Sequence, residues 1–169
     1  MTTAAITYPT VTTHTITIAS LASDANLLIG RQGTVIDNTS ELAIDAMLGG
    51  KVTTGTTPTV NKQIEIWAFG TYDGTTYTAG AGASDAGLTI TSGEKTLLKL
   101  ITIIGPTTAT SNVTHEFGPC SVAQAFGGSM PSKWGVFIVH NTVAALNATG
   151  GGGSIARIIS RSEEHTSEL

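Results

Sequence analysis

The chain has 169 residues, with 8 Lys and Arg against 12 Asp and Glu and a net charge of −4, and it lacks the clustered basic residues with which proteins displace counterions from nucleic-acid phosphates. Only 12% of its residues are charged and Thr is the most frequent residue, a composition that favours β-strands over disorder. No run approaches the roughly 20 apolar residues of a membrane span, and the N-terminal residues lack the basic start and apolar core of a signal peptide.

Alternating apolar and polar residues predict strands at residues 13–19, 25–36 and 41–53. The second strand should be interrupted at residues 30–33 by a turn or a bulge, and residues 37–40 should form a turn. In the first strand His14, Ile16 and Ile18 share a face. In the third, the expected apolar face is formed by Leu42, Ile44, Ala46 and Leu48, and the opposite face carries Glu41 and Asp45.

The most regular strand in the middle of the chain is predicted at residues 63–72. Its two faces carry Ile64, Ile66 and Ala68 on one side and Glu65, Trp67 and Phe69 on the other. The Asp73-Gly74 pair after it is a hairpin signal, and residues 78–87 are expected to form a Gly- and Ala-rich loop. Residues 95–104 are apolar on both faces, which predicts a central strand.

The C-terminal part adds predicted strands at residues 112–117, 134–141 and 154–159, with a helical turn at 122–126. Together these make about eight strands with long connections and no repeat period. We therefore predict an all-β fold, an antiparallel, jelly-roll-like β-sandwich formed by a single domain at residues 13–160. Residues 1–12 are expected to form an N-terminal arm, because they have β propensity but too few apolar residues to fold alone.

The last nine residues, 161–169, break abruptly from the sequence before them. Their sequence, RSEEHTSEL, resembles the translation of a common sequencing adapter, so we expect them to be non-native and to lie outside the fold. The alternative is a natural acidic tail. Without its one Arg and three Glu, the chain carries 7 basic and 9 acidic residues, a net charge of −2.

Few residues are placed for nucleophilic or metal chemistry. Cys120 is the only cysteine, so no disulfide can form within the chain. No nucleophile motif surrounds Cys120, His14, His115 or His140. A single Cys in an apolar stretch is typical of a small core residue, and His140, in line with apolar neighbours, is expected to be buried or at an interface.

The carboxylates and glycine runs give no site either. Glu41 and Asp45 indicate a solvated edge or a subunit contact rather than the paired carboxylates of a glycosidase. Asp73 and Asp85 are isolated, unlike the ligands of a calcium site. The Gly-rich stretches at residues 80–82 and 150–153 lack the following Lys-Ser/Thr of a phosphate loop. We therefore predict no catalytic, cofactor-binding or metal-binding residue, and no enzymatic activity.

The aromatic residues are the only ones that suggest ligand binding. They are Trp67 and Trp134, with Tyr72 and Tyr77. Sugar-binding β-sandwiches use exposed aromatic rings as stacking platforms, so an exposed Trp67 or Tyr77 beside a groove would favour a carbohydrate-binding module. Because Trp67 lies between apolar neighbours, we expect it to pack in a core or an interface.

Several distinctive segments are spread over most of the chain before the tail. They are residues 20–23 and 49–58, Ile64-Glu65-Ile66-Trp67, Phe117-Gly118-Pro119, residues 134–142 and residues 146–151. Together they resemble a family of small proteins encoded among the structural genes of tailed bacteriophages. The resemblance implies a virion component, such as a jelly-roll decoration or cement protein of the capsid, and it implies no catalytic residue.

The expected function is therefore structural. We expect a protein made in the cytoplasm of the bacterial host and bound at the particle surface, with the major capsid protein or another lattice protein as partner. Strands that are apolar on both faces, at 63–72 and 95–104, are expected either to be covered by loops or to pack against other subunits, because a sandwich buries only one face of each sheet. The resemblance to phage surface proteins, which often occupy threefold positions of a capsid, favours subunits and implies a homotrimer. The alternative is a carbohydrate-binding, receptor-binding module of a phage tail or fibre.

Deletion of residues 161–169 tests the interpretation of the tail. We expect the melting temperature to stay within about 2 °C of that of the full chain, because the tail has no periodic apolar face to pack. Thermal unfolding followed by circular dichroism measures this. A loss of many degrees would show that the tail packs against the domain.

Overall fold

The computed structural model describes residues 12–40, 42–148 and 155–160, with the backbone alone for residues 155–160. This part of the chain contains ten strands: β1 (Thr12–His14), β2 (Ile29–Gln32), β3 (Ile36–Asp37), β4 (Asp45–Thr53), β5 (Ile64–Thr71), β6 (Ala86–Thr89), β7 (Lys99–Ile104), β8 (Thr114–Ser121), β9 (Lys133–His140) and β10 (Ile155–Ser160). It also contains two short helices, α1 (Ser92–Lys95) and α2 (Val122–Ala125), and a 3₁₀ turn at Thr78–Gly80. Neither helix is long or apolar enough to cross a membrane.

The strands form two antiparallel sheets. One has the order β1-β10-β4-β8; the other has the order β6-β2-β9-β5-β7, with β3 also paired to β9. Without the short strands β3 and β6, eight strands remain, and they pair first with last, second with seventh, third with sixth and fourth with fifth. This is the pairing of a jelly roll. The prediction of an antiparallel, jelly-roll-like sandwich with about eight strands is confirmed.

The main core lies between the two sheets, where alternate residues of facing strands meet. Its fully buried members from three strands are Ala46, Leu48 and Val52 of β4, Ile64 and Ile66 of β5, and Trp134, Val136 and Ile138 of β9. Ile16 and Ile18 extend this core beyond β1, with the alternation that the sequence predicts. Period-two alternation therefore sets which face of β4, β5 and β9 the other sheet covers.

A second core covers the outer face of the larger sheet. Phe69 of β5 and Phe137 and Val139 of β9 pack there against the segment 72–98, which contains the 3₁₀ turn, β6 and α1. The outer face of residues 63–72 is thus covered by the same chain. Of the two explanations that the sequence left open for this strand, the loop is correct and the neighbouring subunit is not needed.

The predicted central strand at residues 95–104 is wrong in position and in length. β7 begins at Lys99 and is the outermost strand of its sheet, next to β5 alone. Residue 95 instead ends α1, which starts with a capping box: Glu94 N donates to the Thr91 hydroxyl, and Thr91 N donates to the Glu94 carboxylate. This local pairing outweighs the strand pattern of the apolar residues that follow.

Glycines account for two further errors. Gly30 was expected in a turn or bulge but lies within β2, where a Cβ would meet the Ile138 carbonyl oxygen at 2.3 Å. The residue is glycine because two strands and the Phe137 ring approach closely there. The strand predicted to end before Gly118-Pro119 also continues, and β8 runs through both residues to Ser121.

The predicted apolar face of residues 41–53 is correct only from Ala46 onward. Leu42 and Ile44 are 69% and 46% exposed, because β4 begins only at Asp45 and Ala43 is the buried residue of the segment before it. Asp37, expected in a turn, lies in β3. Of the predicted arm at residues 1–12, Thr12 instead lies in β1. The rest of the arm, Glu41, residues 150–153 and the tail 161–169 lie outside the described residues.

Substitution of Gly135 by alanine tests the packing of the outer face of the sheet. A Cβ there would meet the Phe69 ring at 2.3 Å, so we expect a loss of about 1–3 kcal/mol in the free energy of unfolding. The control is Gly87→Ala, where a Cβ meets no atom within 4 Å and the change should stay within about 0.5 kcal/mol. Urea unfolding measures both, and equal effects would contradict this account of Gly135.

Candidate functional site

The three predicted histidine candidates lie on three different strands. His14 of β1 is buried and stacks on Trp134, with 6.4 Å between ring centroids. His140 of β9 is buried; its Nδ1 bonds to the Thr142 hydroxyl at 2.9 Å and its Nε2 to the Leu21 carbonyl at 3.0 Å. Burial lowers the pKa of His140, and it also lowers the pKa of His115 on β8. Burial therefore favours the neutral form of both rings.

Cys120 is half-buried on β8 and pairs across the ladder with Leu48. Among the described residues, no group of three or more His, Cys, Asp or Glu side chains is placed to hold a metal ion.

The predicted carboxylate candidates have local structural contacts. Asp45 Oδ1 accepts from the backbone N of Ala46 at 2.7 Å and of Ala123 at 2.9 Å, which ties β4 to the start of α2. Asp73 accepts from two backbone N–H groups in the turn after β5, which lowers the pKa of its carboxyl. Asp85 Oδ1 accepts from Arg31 Nε at 2.5 Å, and this ion pair joins the segment 72–98 to β2.

A buried ion pair lies on the outer face of β5. Glu65 is 5% exposed, and its Oε2 lies 2.7 Å from Lys95 Nζ of α1. The same oxygen accepts from the Trp67 indole N–H at 2.8 Å, and Oε1 accepts from the Gln63 amide at 2.9 Å. Lys95 Nζ also donates to the Leu27 carbonyl at 3.0 Å. Both charged groups are therefore satisfied by the fold itself.

Trp67 borders an open groove of 350 Å³. The groove is lined by Asn26, Leu28, Trp67, Ser92, Lys95, Thr96 and Leu98. Trp67 is half-buried, and Lys95 Nζ lies 5.2 Å from the centroid of its ring. The expectation of pure core or interface packing is thus incomplete, because one indole borders a solvent-open space. Trp134 is fully buried, as expected, and Tyr72 is exposed in the turn after β5.

An apolar strip runs along the outer edge of the larger sheet. Leu100 and Ile103 of β7 are 42% and 48% exposed, and Leu97 just before β7 is also exposed. Leu100 pairs across the ladder with Trp67, and Ile103 pairs with Glu65, so both lie on the outer face. The segment 72–98 therefore covers this face over β5 and β9 but leaves these side chains uncovered.

A second groove, of 540 Å³, lies where the edges of the two sheets meet. It is lined by Met47, Leu100, Ile101, Pro119, Cys120, Ser121, Gln124 and Ala125. β7 and β8, which flank it, are each the last strand of their sheet. Each of these strands thus has one side without a ladder partner among the described strands, although β7 contacts both β8 and α2 there.

Comparison with protein-family models, with curated protein sequences and with solved structures found no match to this chain.

The neutral state of His140 predicts a pH dependence of stability. Because folding lowers its pKa, the unfolded chain binds the proton first as the pH falls through the ordinary histidine pKa of about 6.5. The free energy of unfolding should therefore be highest above that pH and fall below it, by at most about 1.4 kcal/mol per pH unit for each such histidine. His115 contributes with the same sign.

Urea unfolding between about pH 7 and pH 5 measures this fall, since carboxylates titrate at lower pH. In His140→Gln, the slope should become smaller, and the remaining part belongs to the other histidines, including His115. A stability that is flat over this range in the unmodified protein would contradict the assignment.

Proposed function

We propose that this chain is a structural protein of a tailed-phage particle, a decoration or cement protein that binds the capsid surface as a homotrimer. The observation that carries the proposal is the apolar strip formed by Leu97, Leu100 and Ile103 beside the unpaired edge of β7. Exposed apolar surface next to an open strand edge is characteristic of protein–protein contacts. The sequence resemblance to phage structural proteins supplies the setting.

A second copy of the chain is the partner that we assign to the strip. Residues 1–11, which precede the described part, contain no charged side chain and carry Ile6, Tyr8 and Val11. They could add an extended strand to the edge of β7 in a neighbouring subunit through backbone hydrogen bonds and apolar contacts. An extended segment of this length reaches up to roughly 35 Å, enough to cross to an adjacent subunit.

The positions of donor and acceptor favour a ring. The arm joins the domain at β1, and β1 and β8 are the opposite edges of the smaller sheet. The acceptor edge, β7, lies on the β8 side, where the two strands border a common groove. Because donor and acceptor lie on opposite flanks, the contact is head-to-tail, and a head-to-tail contact forms a closed ring when its rotation permits. A trimer also fits the threefold positions of a capsid.

Attachment to the particle then works by mass action. A protein that binds only the assembled lattice stabilises that lattice, and each copy need contribute only a few kcal/mol when many copies act together. The partner in this proposal is the major capsid protein or another lattice protein, and the proposal includes no catalysis and no contact with nucleic acid or membrane. The low charge of the chain means that apolar and backbone contacts, rather than ion pairs, would hold it in place.

Analytical ultracentrifugation of purified protein tests the self-association. We expect the full chain to be a trimer at tens of micromolar and the variant lacking residues 1–11 to be a folded monomer. Ile103→Lys should also give a monomer, because it places a charge in the proposed contact. Val143→Lys is the matched control, since Val143 is exposed in the loop after β9. A monomeric full chain, or an Ile103→Lys variant that stays trimeric, would contradict the proposed interface.

Binding of the protein to phage particles tests whether it acts at the capsid surface. Particles of the phage that carries this gene, prepared without the protein, should be decorated by the full chain, and the complex should survive a rise in ionic strength from about 0.1 M to 0.5 M, where screening is strong. Removing residues 1–11 should weaken decoration while the domain stays folded. Release by moderate salt would show an electrostatic contact, and undiminished decoration by the truncated chain would exclude the arm as the anchor.

A further inference from the structure

The groove beside Trp67 contains an ion pair that ties α1 to β5 and also fixes the Trp67 ring. Glu65 and Lys95 form an ion pair that is largely removed from water, and such pairs give little or no net stability over apolar residues of similar size. Their joint effect is to hold Trp67: the carboxylate bonds to the indole N–H, and the ammonium lies against the ring. The ring is thus fixed in orientation at the edge of an open space.

The rim of the same groove offers free polar groups. Within the described chain, the side-chain amide of Asn26 and the hydroxyl of Ser92 make no hydrogen bond, and both residues are exposed. Thr96 donates its hydroxyl hydrogen to the Gly93 carbonyl and keeps its acceptor lone pairs. Leu28 and Leu98 supply apolar walls. An apolar platform with a few polar groups around it is the usual composition of a small-molecule site.

The charges of the lining residues indicate whether the groove favours an anionic or a neutral ligand. Lys95, the only cation that lines it, is paired with Glu65 and also donates to the Leu27 carbonyl, so its charge is already balanced, which disfavours a phosphate or carboxylate ligand. Neutral donors and acceptors remain. We propose that this groove binds a neutral pyranose ring, which presents C–H groups to the part of the Trp67 indole that borders the groove and hydroxyls to Asn26, Ser92 and Thr96.

The size and openness of the groove set how much of a glycan it holds. A volume of 350 Å³ is near the lower end of the range for small-molecule sites. One sugar ring fills much of it, and the rest of a polysaccharide continues into solvent. Single-site binding is therefore weak, and a glycan that displays many equivalent rings is the natural ligand for an oligomer or a decorated particle. The site stands independently of the trimer and of the phage setting.

Tryptophan fluorescence gives a direct readout, because the chain has two Trp residues and Trp134 is fully buried in the main core. A ligand that changes the emission without unfolding the protein therefore acts on Trp67. The probes are the methyl glycosides of glucose, galactose, mannose and N-acetylglucosamine, each titrated into the full-length protein to tens of millimolar, since a millimolar dissociation constant corresponds to about −4 kcal/mol. At least one should give a saturable change, and saturation-transfer NMR should show contact at the C–H protons of one sugar face.

The Asn26→Ala, Ser92→Ala double variant is the sharpest test. Neither side chain makes a hydrogen bond in the described structure, so thermal unfolding should be unchanged, while sugar affinity should fall about tenfold through the loss of two polar contacts. Gln124→Ala removes an exposed amide from the other groove and is the matched control, with affinity unchanged. Trp67→Ala should abolish binding; a circular dichroism spectrum like that of the unmodified protein shows that this variant is folded.

Three results would overturn the proposal. The first is the absence of a saturable response to all four glycosides. The second is binding that the Asn26→Ala, Ser92→Ala variant retains in full. The third is stronger binding of inorganic phosphate or of a nucleoside monophosphate than of any neutral sugar, which would mean that the groove selects anions. Each of these results leaves the oligomeric state untouched, so the sugar site and the structural role can fail separately.

Discussion

The ladder between β5 and β9 is buried on both faces, and the rest of the molecule is arranged around that constraint. It joins eight residue pairs without interruption, from Ile64 with His140 to Thr71 with Lys133. Buried backbone groups must find partners within the protein, so this central ladder has to be regular. The irregularities lie in other ladders, at Ile66/Trp67 between β5 and β7 of the same sheet and at Leu48/Gly50 between β4 and β8 of the other sheet.

Covering the outer face of this ladder creates both candidate surfaces. The segment 72–98 lies over β5 and β9 and is fastened by two ion pairs, Arg31 with Asp85 and Glu65 with Lys95. It does not extend over β7. Where the segment 72–98 ends, a groove remains beside Trp67. On β7, which the segment does not reach, Leu100 and Ile103 are exposed. The apolar strip and the aromatic groove are thus two consequences of how far one segment reaches.

The strands that the sequence predicts best are those in which burial between the two sheets alone decides where apolar and polar residues alternate. β5, β9 and the fold class follow from period-two patterns, because burial between sheets decides each position. The predictions fail where a second interaction competes. The capping box of Thr91 and Glu94 forms a helix before β7, and close strand contact makes Gly30 a strand residue rather than a turn residue.

Long-range contacts explain what the sequence could not give about the candidate site. Trp67 and the apolar faces of residues 95–104 stand out from sequence alone. The partner of Glu65 cannot be identified from the sequence, because Lys95 lies on a helix at the point where the apolar pattern predicts a strand. A Glu on the same strand face as Trp67 and Phe69 was the one available signal that this face holds a polar contact.

The nesting of the strand pairs also governs how the chain is made. Arg31 of β2 pairs with Ile138 of β9, and Thr12 of β1 pairs with Arg157 of β10. These pairs can therefore form only after almost the whole chain has been synthesised. Two pairs can form early, β2 with β6 and β5 with β7, and β4 with β8 can follow. At ordinary translation rates β2 remains without its second partner, β9, for on the order of ten seconds after it is synthesised. The nascent chain therefore carries incompletely paired strands until most of it has been synthesised.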